Sequence, residues 1–139
     1  MRVLIFVLLL FFTVSLCIFA QEMAEDTNSD GNSDRWITIN AGKVSEIALD
    51  RDYNGDIDYI VKYNDISEKI EEQLDFNYDG EMDDYYYYAR DKMKRREIDT
   101  NYDGKIDVWV YLDGIYIEKY EKDTDFDGRV DIVKDYSKE

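Results

Sequence analysis

One nine-residue pattern, D-x-[DN]-x-[DN]-G-x-x-D, occurs five times in this 139-residue protein and constrains its fold more than any other feature. The copies begin 24 or 25 residues apart, and five of the seven glycines occupy the sixth position of the pattern. A fixed period of this length indicates a repeat architecture, in which each unit packs against its neighbours. The copies, here termed loops 1 to 5, span residues 26–34, 50–58, 75–83, 99–107 and 123–131.

The pattern of the segments between the loops predicts a strand, a turn and a second strand in each. Residues 107–112 are rich in β-branched and aromatic side chains, Asp113-Gly114 is a favoured two-residue hairpin turn, and residues 115–120 return toward loop 5. Residues 66–74 also have helical character, but the repeat favours a charged strand there. The protein has no proline, which suits continuous hydrogen-bonded ladders. Further turns are predicted at residues 40–42, 64–65 and 90–91.

These features predict an all-β fold, an antiparallel hairpin meander of about nine strands with every Asp-rich loop along one edge. Three arrangements of the sheet satisfy the pattern: an open sheet, a sheet that curls toward a barrel, and a sheet that pairs with a second copy. Trp36, Trp109 and the run Tyr85–Tyr88 are interpreted as same-face packing residues, with edge protection and an interface as alternatives.

The N-terminus has the plan of a secretory signal peptide. Met1-Arg2 is basic, residues 3–12 are apolar without interruption, and Ala20 precedes the acidic remainder of the protein. Two other interpretations are a lipoprotein signal, in which Val14–Cys17 is a lipobox and Cys17 carries the lipid, and an uncleaved anchor. All three place the rest of the protein outside the cytoplasm. The predicted division is a signal segment at 1–20, an acidic segment with a degenerate first loop at 21–34, and a β-hairpin repeat domain at 35–139.

Charge and composition exclude several classes of function. The net charge is −16, which argues against nucleic acid as a partner and allows a membrane only through the signal or lipid anchor. The protein has no histidine, so imidazole bases and imidazole zinc sites are absent. The single cysteine excludes an internal disulfide framework. A glycosidase using two carboxylates is a weak alternative, because the acidic residues recur evenly instead of marking one cleft.

The Asp-rich loops are predicted to bind calcium. Calcium takes six to eight oxygen ligands, and carboxylates at alternate positions of a tight loop can converge on one ion. Positions 1, 3, 5 and 9 hold 16 Asp and 4 Asn across the five loops, without exception. Solvated turns alone would not need this set five times over.

The predicted calcium ligands of loops 2 to 5 combine these side chains with the backbone carbonyl at position 7, and about four ions are expected. The side-chain ligands are Asp50, Asp52, Asn54, Asp58, Asp75, Asn77, Asp79, Asp83, Asp99, Asn101, Asp103, Asp107, Asp123, Asp125, Asp127 and Asp131; the carbonyl ligands belong to Asp56, Glu81, Lys105 and Arg129. Loop 1 is expected to be weak or disordered, since no strand is predicted before it and positions 4 and 8 are serine; its ligands would be Asp26, Asn28, Asp30, Asn32 and Asp34.

The pattern resembles the first nine positions of the EF-hand loop and of dockerin repeats. It is closer to the nine-residue loops of integrin α-subunit propellers and to thrombospondin type 3 repeats. An EF-hand places a bidentate Glu at position 12, where this protein has Ile37, Val61, Tyr86, Val110 and Lys134. The resemblance covers five times nine residues and implies calcium binding by a hairpin-borne loop.

The expected function is that of a secreted or surface-anchored calcium-binding repeat protein without catalysis, in which calcium is structural and the strands face a protein or matrix partner. The alternative of a dockerin-like adaptor or calcium sensor requires helices after the loops.

Overall fold

The computed structural model describes residues 20–137, and the predicted signal segment and proposed lipid site at Cys17 lie outside them. The described residues form a single sheet of ten strands in sequence order. The strands are β1 (Gln21–Glu25), β2 (Arg35–Asn40), β3 (Lys43–Leu49), β4 (Tyr59–Tyr63), β5 (Lys69–Leu74), β6 (Asp84–Ala89), β7 (Lys92–Ile98), β8 (Val108–Asp113), β9 (Tyr116–Lys122) and β10 (Ile132–Asp135).

The sheet is an open antiparallel meander in a single layer. Each strand pairs with the strand before it and the strand after it in sequence, from β1 to β10. No strand of residues 20–137 contacts a strand that is not its neighbour in the sheet, so β1 and β10 do not meet to close a barrel. The all-β antiparallel fold is confirmed, and the strand interpretation of residues 66–74 is confirmed as β5.

The tenth strand is β1, which the sequence analysis did not predict. Residues 21–25 pair with β2 in register from Gln21 opposite Ile39 to Glu25 opposite Arg35. The premise that loop 1 lacks a preceding strand is therefore wrong. The strand was not predicted because Glu22 and Glu25 have low strand propensity. The stability of a strand also depends strongly on the strand with which it pairs.

Four hairpin turns lie at the edge opposite the loops. Ala41-Gly42 and Arg90-Asp91 occupy two-residue turns with positive φ at both residues, which is the type I′ geometry that matches strand twist. Asn64–Glu68 forms a longer turn. The last turn falls at Gly114-Ile115, one residue later than the predicted Asp113-Gly114, because Asp113 pairs with Tyr116 as the last rung of the ladder. Gly114 takes the positive φ that this turn needs, 65°.

The described residues bury very little apolar surface. The buried apolar residues are Ala48, Val61 and Val108, whereas nine aspartates are buried. A single-layer sheet has no second layer to cover its faces, so most strand side chains are only half-buried. They pack against cross-strand neighbours instead, as where Arg95 lies 4.2 Å above the Tyr87 ring and Lys69 lies 4.2 Å above the Tyr88 ring.

Within the part of the protein that the structure describes, no helix has the length and apolar character that a membrane crossing requires.

Candidate metal centre

Every Asp-rich loop is closed by the same backbone hydrogen bond. In loop 2 the N–H of Asp58, at position 9, donates to the carbonyl of Leu49, the residue before position 1, over 2.9 Å. Loops 1, 3, 4 and 5 repeat this bond at 2.8 to 2.9 Å. The two strands that flank a loop are therefore held together at its base, and the nine residues form a compact projection from the sheet.

The aspartate at position 1 folds the loop inward. In loop 2 the Asp50 carboxylate accepts hydrogen bonds from the backbone N–H groups of Tyr53 (2.7 Å) and Gly55 (2.9 Å). The glycine N–H makes the same bond in each of the other loops. Position 6 has φ between 81° and 102°, a region that favours glycine, which explains its invariance across the five loops.

Position 4 also has positive φ, although four of the five loops carry an aromatic residue there. The values are 61° to 64° for Tyr53, Tyr78, Tyr102 and Phe126. Non-glycine residues pay a cost of order 1 kcal/mol for this conformation. These side chains are 39% to 52% exposed and form a row along the loop edge. The hydrogen bonds to the position 1 carboxylate hold the backbone in place against that cost.

In loop 2, the two carboxylate oxygens of the aspartate at position 9 have different surroundings. Oδ2 of Asp58 accepts the N–H groups of Arg51 (2.5 Å) and Asp52 (3.2 Å). Asp58 is 0% exposed, and its Oδ1 is the one buried side-chain oxygen or nitrogen of residues 20–137 that has no hydrogen-bond partner. A buried carboxylate oxygen without a partner is costly, and a cation could satisfy this atom.

The structure brings carboxylates together in three of the five loops. In each group, one oxygen per residue lies within 4.8 Å of the others, which is close enough for one ion. The groups are Asp26, Asp30 and Asp34 in loop 1; Asp50, Asp52 and Asp58 in loop 2; and Asp123, Asp125 and Asp131 in loop 5. Among the described residues, the carboxylates of loops 3 and 4 form no such group. Loop 1 therefore gathers three carboxylates as loops 2 and 5 do, but from positions 1, 5 and 9 instead of 1, 3 and 9.

Loop 5 has aspartate at all four side-chain ligand positions, and these carboxylates repel one another. The negative charges of Asp127 and Asp131 raise the pKa of the Asp125 carboxyl above its usual value. In loops 1 and 3, asparagine at position 3 replaces one of the charges and donates from its amide to the position 5 carboxylate, as from Asn77 to Asp79 over 2.7 Å. A cation would relieve the remaining repulsion in both kinds of loop.

Burial of the loop aspartates follows their place in the row. Positions 1 and 9 are buried in every loop, except for Asp26 at one end and Asp131 at the other. Each interior loop is covered by the loops on both sides, whereas Asp26 and Asp131 each face the side on which the described residues provide no further loop.

The residues at position 2 contribute to the site, although no role was predicted for them. Thr27, Thr100 and Thr124 donate their hydroxyls to the position 9 carboxylate over 2.5 to 2.9 Å. In loop 2 the same position is Arg51, whose guanidinium reaches the carbonyls of Asp58 (3.4 Å) and Asp75 (3.1 Å). The recurrence of threonine at position 2 in three of the five loops was the sequence feature that could have indicated this role. The threonines thus hold the position 9 carboxylate in loops 1, 4 and 5, whereas the Asp58 carboxylate of loop 2 is held by backbone N–H groups.

The remaining predicted ligand of each of loops 2 to 5 is the backbone carbonyl at position 7. At position 7, the backbone N–H groups of Glu81, Lys105 and Arg129 donate to the position 5 carboxylate of their own loops over 2.9 to 3.0 Å. Coordination by the position 7 carbonyls, including that of Asp56, stays a prediction.

No protein-family model matches this sequence, and no curated protein matches it. The chemistry of the site follows from its own donors. They are oxygen atoms of short side chains, gathered at the edge of a sheet, and such a set suits a hard divalent cation.

Proposed function

We propose that this protein binds calcium in its Asp-rich loops and that the ions hold the single-layer sheet together. The observation that carries the proposal is Asp58 Oδ1, which is buried, has no partner and belongs to the carboxylate group of loop 2. A divalent cation between Asp50, Asp52 and Asp58 would satisfy this oxygen and neutralise the like charges around it.

The donor set favours calcium over other metals. Structural zinc sites in proteins rely on cysteine and histidine, and this protein has one cysteine and no histidine. Magnesium requires a small, near-octahedral shell and dehydrates reluctantly, whereas calcium accepts six to eight oxygens in flexible geometry. Positions 1, 3, 5 and 9, the position 7 carbonyl and water provide such a shell, with about four ions for the protein.

A structural role for calcium follows from the composition of the interior. Three apolar residues and nine aspartates are buried in the described part of the protein, so burial of apolar surface contributes unusually little to folding. Eight of these aspartates belong to the loops. An ion that binds the folded loop and not the unfolded state stabilises the fold by mass action. The sheet is thus expected to depend on calcium.

The biological setting that we propose is extracytoplasmic. The apolar N-terminal segment supports export as a secreted, periplasmic or surface-anchored protein, and the calcium of such compartments suits loops without a position 12 carboxylate. We further propose a non-enzymatic role in adhesion or scaffolding, with the half-exposed aromatic row of the loop edge available to a protein or matrix partner.

Thermal melting in three buffers tests the calcium proposal. We expect the melting temperature to rise progressively with calcium, to change little with millimolar magnesium, and to be lowest in chelator, with affinities of about 10⁻⁴ to 10⁻³ M. Equal melting temperatures in chelator, magnesium and calcium would overturn the proposal.

A single substitution tests the atom on which the proposal rests. Asp58→Asn keeps the size of the side chain but removes a charge, and we expect one fewer bound ion in native mass spectrometry. Asp113→Asn is the matched control, because it makes the same change at a side chain that is 85% exposed in a hairpin. The same ion count in both variants would show that Asp58 does not hold a metal.

A further inference from the structure

Neighbouring loops contact each other through the side chain at position 7. Glu81 belongs to loop 3, yet its carboxylate lies over the position 6 glycine of loop 4. A methyl group built on Gly104 would meet Glu81 Oε2 at 2.9 Å. Loop 2 reaches loop 3 in the same way, since a methyl group on Gly80 would lie 3.6 Å from the carboxylate of Asp56. Both acidic side chains therefore leave their own loops and face the next one.

The backbone fixes the distance between these loops. The N–H of Asp75 donates to the carbonyl of Asp58 over 2.9 Å, and the N–H of Asp99 donates to the carbonyl of Asp83 over 2.8 Å. The position 1 residue of each loop is thus bonded to position 9 of the loop before it. This bond holds adjacent loops in register, which places the Glu81 side chain within reach of Gly104.

Loops 1 to 4 each have three aspartates among positions 1, 3, 5 and 9, and the two that receive an acidic side chain are those whose own carboxylates form no close group in the described part of the protein. Loops 3 and 4 have asparagine at position 3 and three aspartates each, and their own carboxylates form no close group among the described residues. Asp56 and Glu81 bring a fourth carboxylate to these loops. Placing one more negative charge near three others is unfavourable without a cation, and an ion in the loop would offset that repulsion.

The contact stops at loop 5, where the fourth carboxylate is already present. Position 7 of loop 4 is Lys105, and its Nζ lies 3.5 Å from Asp103 of the same loop. Gly128 of loop 5 has no atom near the place of a methyl group. Loop 5 has its own fourth carboxylate, Asp125 at position 3. Each of loops 3, 4 and 5 thus has four carboxylates, either from within or from its neighbour.

We propose that Glu81 and Asp56 are shared between adjacent divalent-cation sites, with the backbone in one loop and the carboxylate acting on the next. The carboxylate strengthens cation binding in the following loop through its charge, so loop 4 depends on loop 3 and loop 3 depends on loop 2. This inference rests on the proposed calcium function of the same loops.

The experiment uses the position 6 glycine amides as separate reporters, because each donates to the position 1 carboxylate of its own loop. A calcium titration of the full-length protein, followed by ¹H–¹⁵N correlation spectra, gives one affinity from Gly104 for loop 4 and one from Gly128 for loop 5. In Glu81→Gln we expect the affinity of loop 4 to fall about three- to tenfold relative to loop 5, since one nearby charge is lost in a largely aqueous setting.

Glu118→Gln is the matched control, because it removes the same charge from an exposed residue of β9 near the hairpin edge. A ratio of loop 4 to loop 5 affinity that is the same in Glu81→Gln and Glu118→Gln would overturn the inference while leaving calcium binding intact. Glycine amides that do not shift with calcium in the parent protein would overturn the proposed function itself. Unchanged dispersion of the strand resonances checks that each variant is folded.

Discussion

Asp75 donates its backbone N–H to the backbone carbonyl of Asp58 over 2.9 Å, which joins loop 3 directly to loop 2. Equivalent bonds of 2.8 to 2.9 Å join every loop to the next. The ladder of the sheet therefore continues into the loop edge, and successive loops are two strands apart, on the order of 10 Å. That distance is about one Debye length at 0.1 M salt, so the charges of neighbouring loops are only partly screened.

The first prediction concerns the number of ions. Loops 2 to 5 keep the full ligand set and an apolar residue at position 8, whereas loop 1 has serine there. We expect native mass spectrometry in millimolar calcium to show four ions, with a fifth at higher concentration because loop 1 also gathers three carboxylates. A protein that holds at most one ion under these conditions would contradict this prediction.

The second prediction concerns one ligand of loop 4. Asp103→Ala removes the position 5 carboxylate, to which the N–H of Lys105 donates over 3.0 Å. We expect one fewer ion and weaker binding in the adjacent loops, because they are bonded to loop 4 through the backbone. Asp65→Ala, an exposed turn residue at the other edge, is the control. An unchanged ion count would show that Asp103 stabilises the turn and does not bind an ion.

The third prediction concerns a buried ion pair outside the loops. Asp84 is fully buried and binds Arg96 through contacts of 2.5 to 3.1 Å. Asp84→Asn removes the charged partner of a partly exposed arginine, and we expect a loss of about 2 to 3 kcal/mol in the free energy of unfolding.

The next hairpin provides the control for this pair, since Val108 and Tyr120 occupy the equivalent positions in the register of β8 and β9. The double variant Asp84→Val, Arg96→Tyr should recover most of the lost stability in chemical denaturation. If the double variant is less stable than Asp84→Asn, the ion pair contributes more than a well-packed apolar pair would.

The fourth prediction concerns pH and Glu72 in β5. Burial raises the pKa of the Glu72 carboxyl, but hydrogen bonds from Lys69, Tyr59 and Tyr88 outweigh burial, so its pKa is lower than the usual 4.5. A carboxyl with a lowered pKa in the folded state contributes stability above its usual pKa and loses it as pH falls through the lowered value. Glu72→Gln should therefore cost about 1 kcal/mol at pH 7, and the difference from the parent should shrink below pH 4.5.

Chemical denaturation of Glu72→Gln and of the exposed control Glu118→Gln across this pH range measures the difference. A cost for Glu72→Gln that is independent of pH would show that the lost hydrogen-bond geometry, not the charge, is responsible.

The sequence was sufficient for the features that arise within one repeat. The strands and most turns follow from local propensity, as at Ala41-Gly42, and the loop glycines follow from the need for positive φ at position 6. The turn at Gly114-Ile115 was misplaced by one residue, because the position of a hairpin turn depends on how far the ladder continues beyond Leu112. The strand β1 was missed because its pairing with β2 outweighs the weak strand propensity of Glu22 and Glu25.

The motif alone determined the candidate site as a set of residue types, namely oxygen donors at positions 1, 3, 5 and 9. Only the tertiary structure decided which donors meet, which oxygen stays without a partner at Asp58, and that Glu81 faces Gly104 of the next loop. The physical reason is that these relations join residues of different loops or of both ends of a loop. They depend on the register between strands and on the direction of each side group, and a local pattern specifies neither.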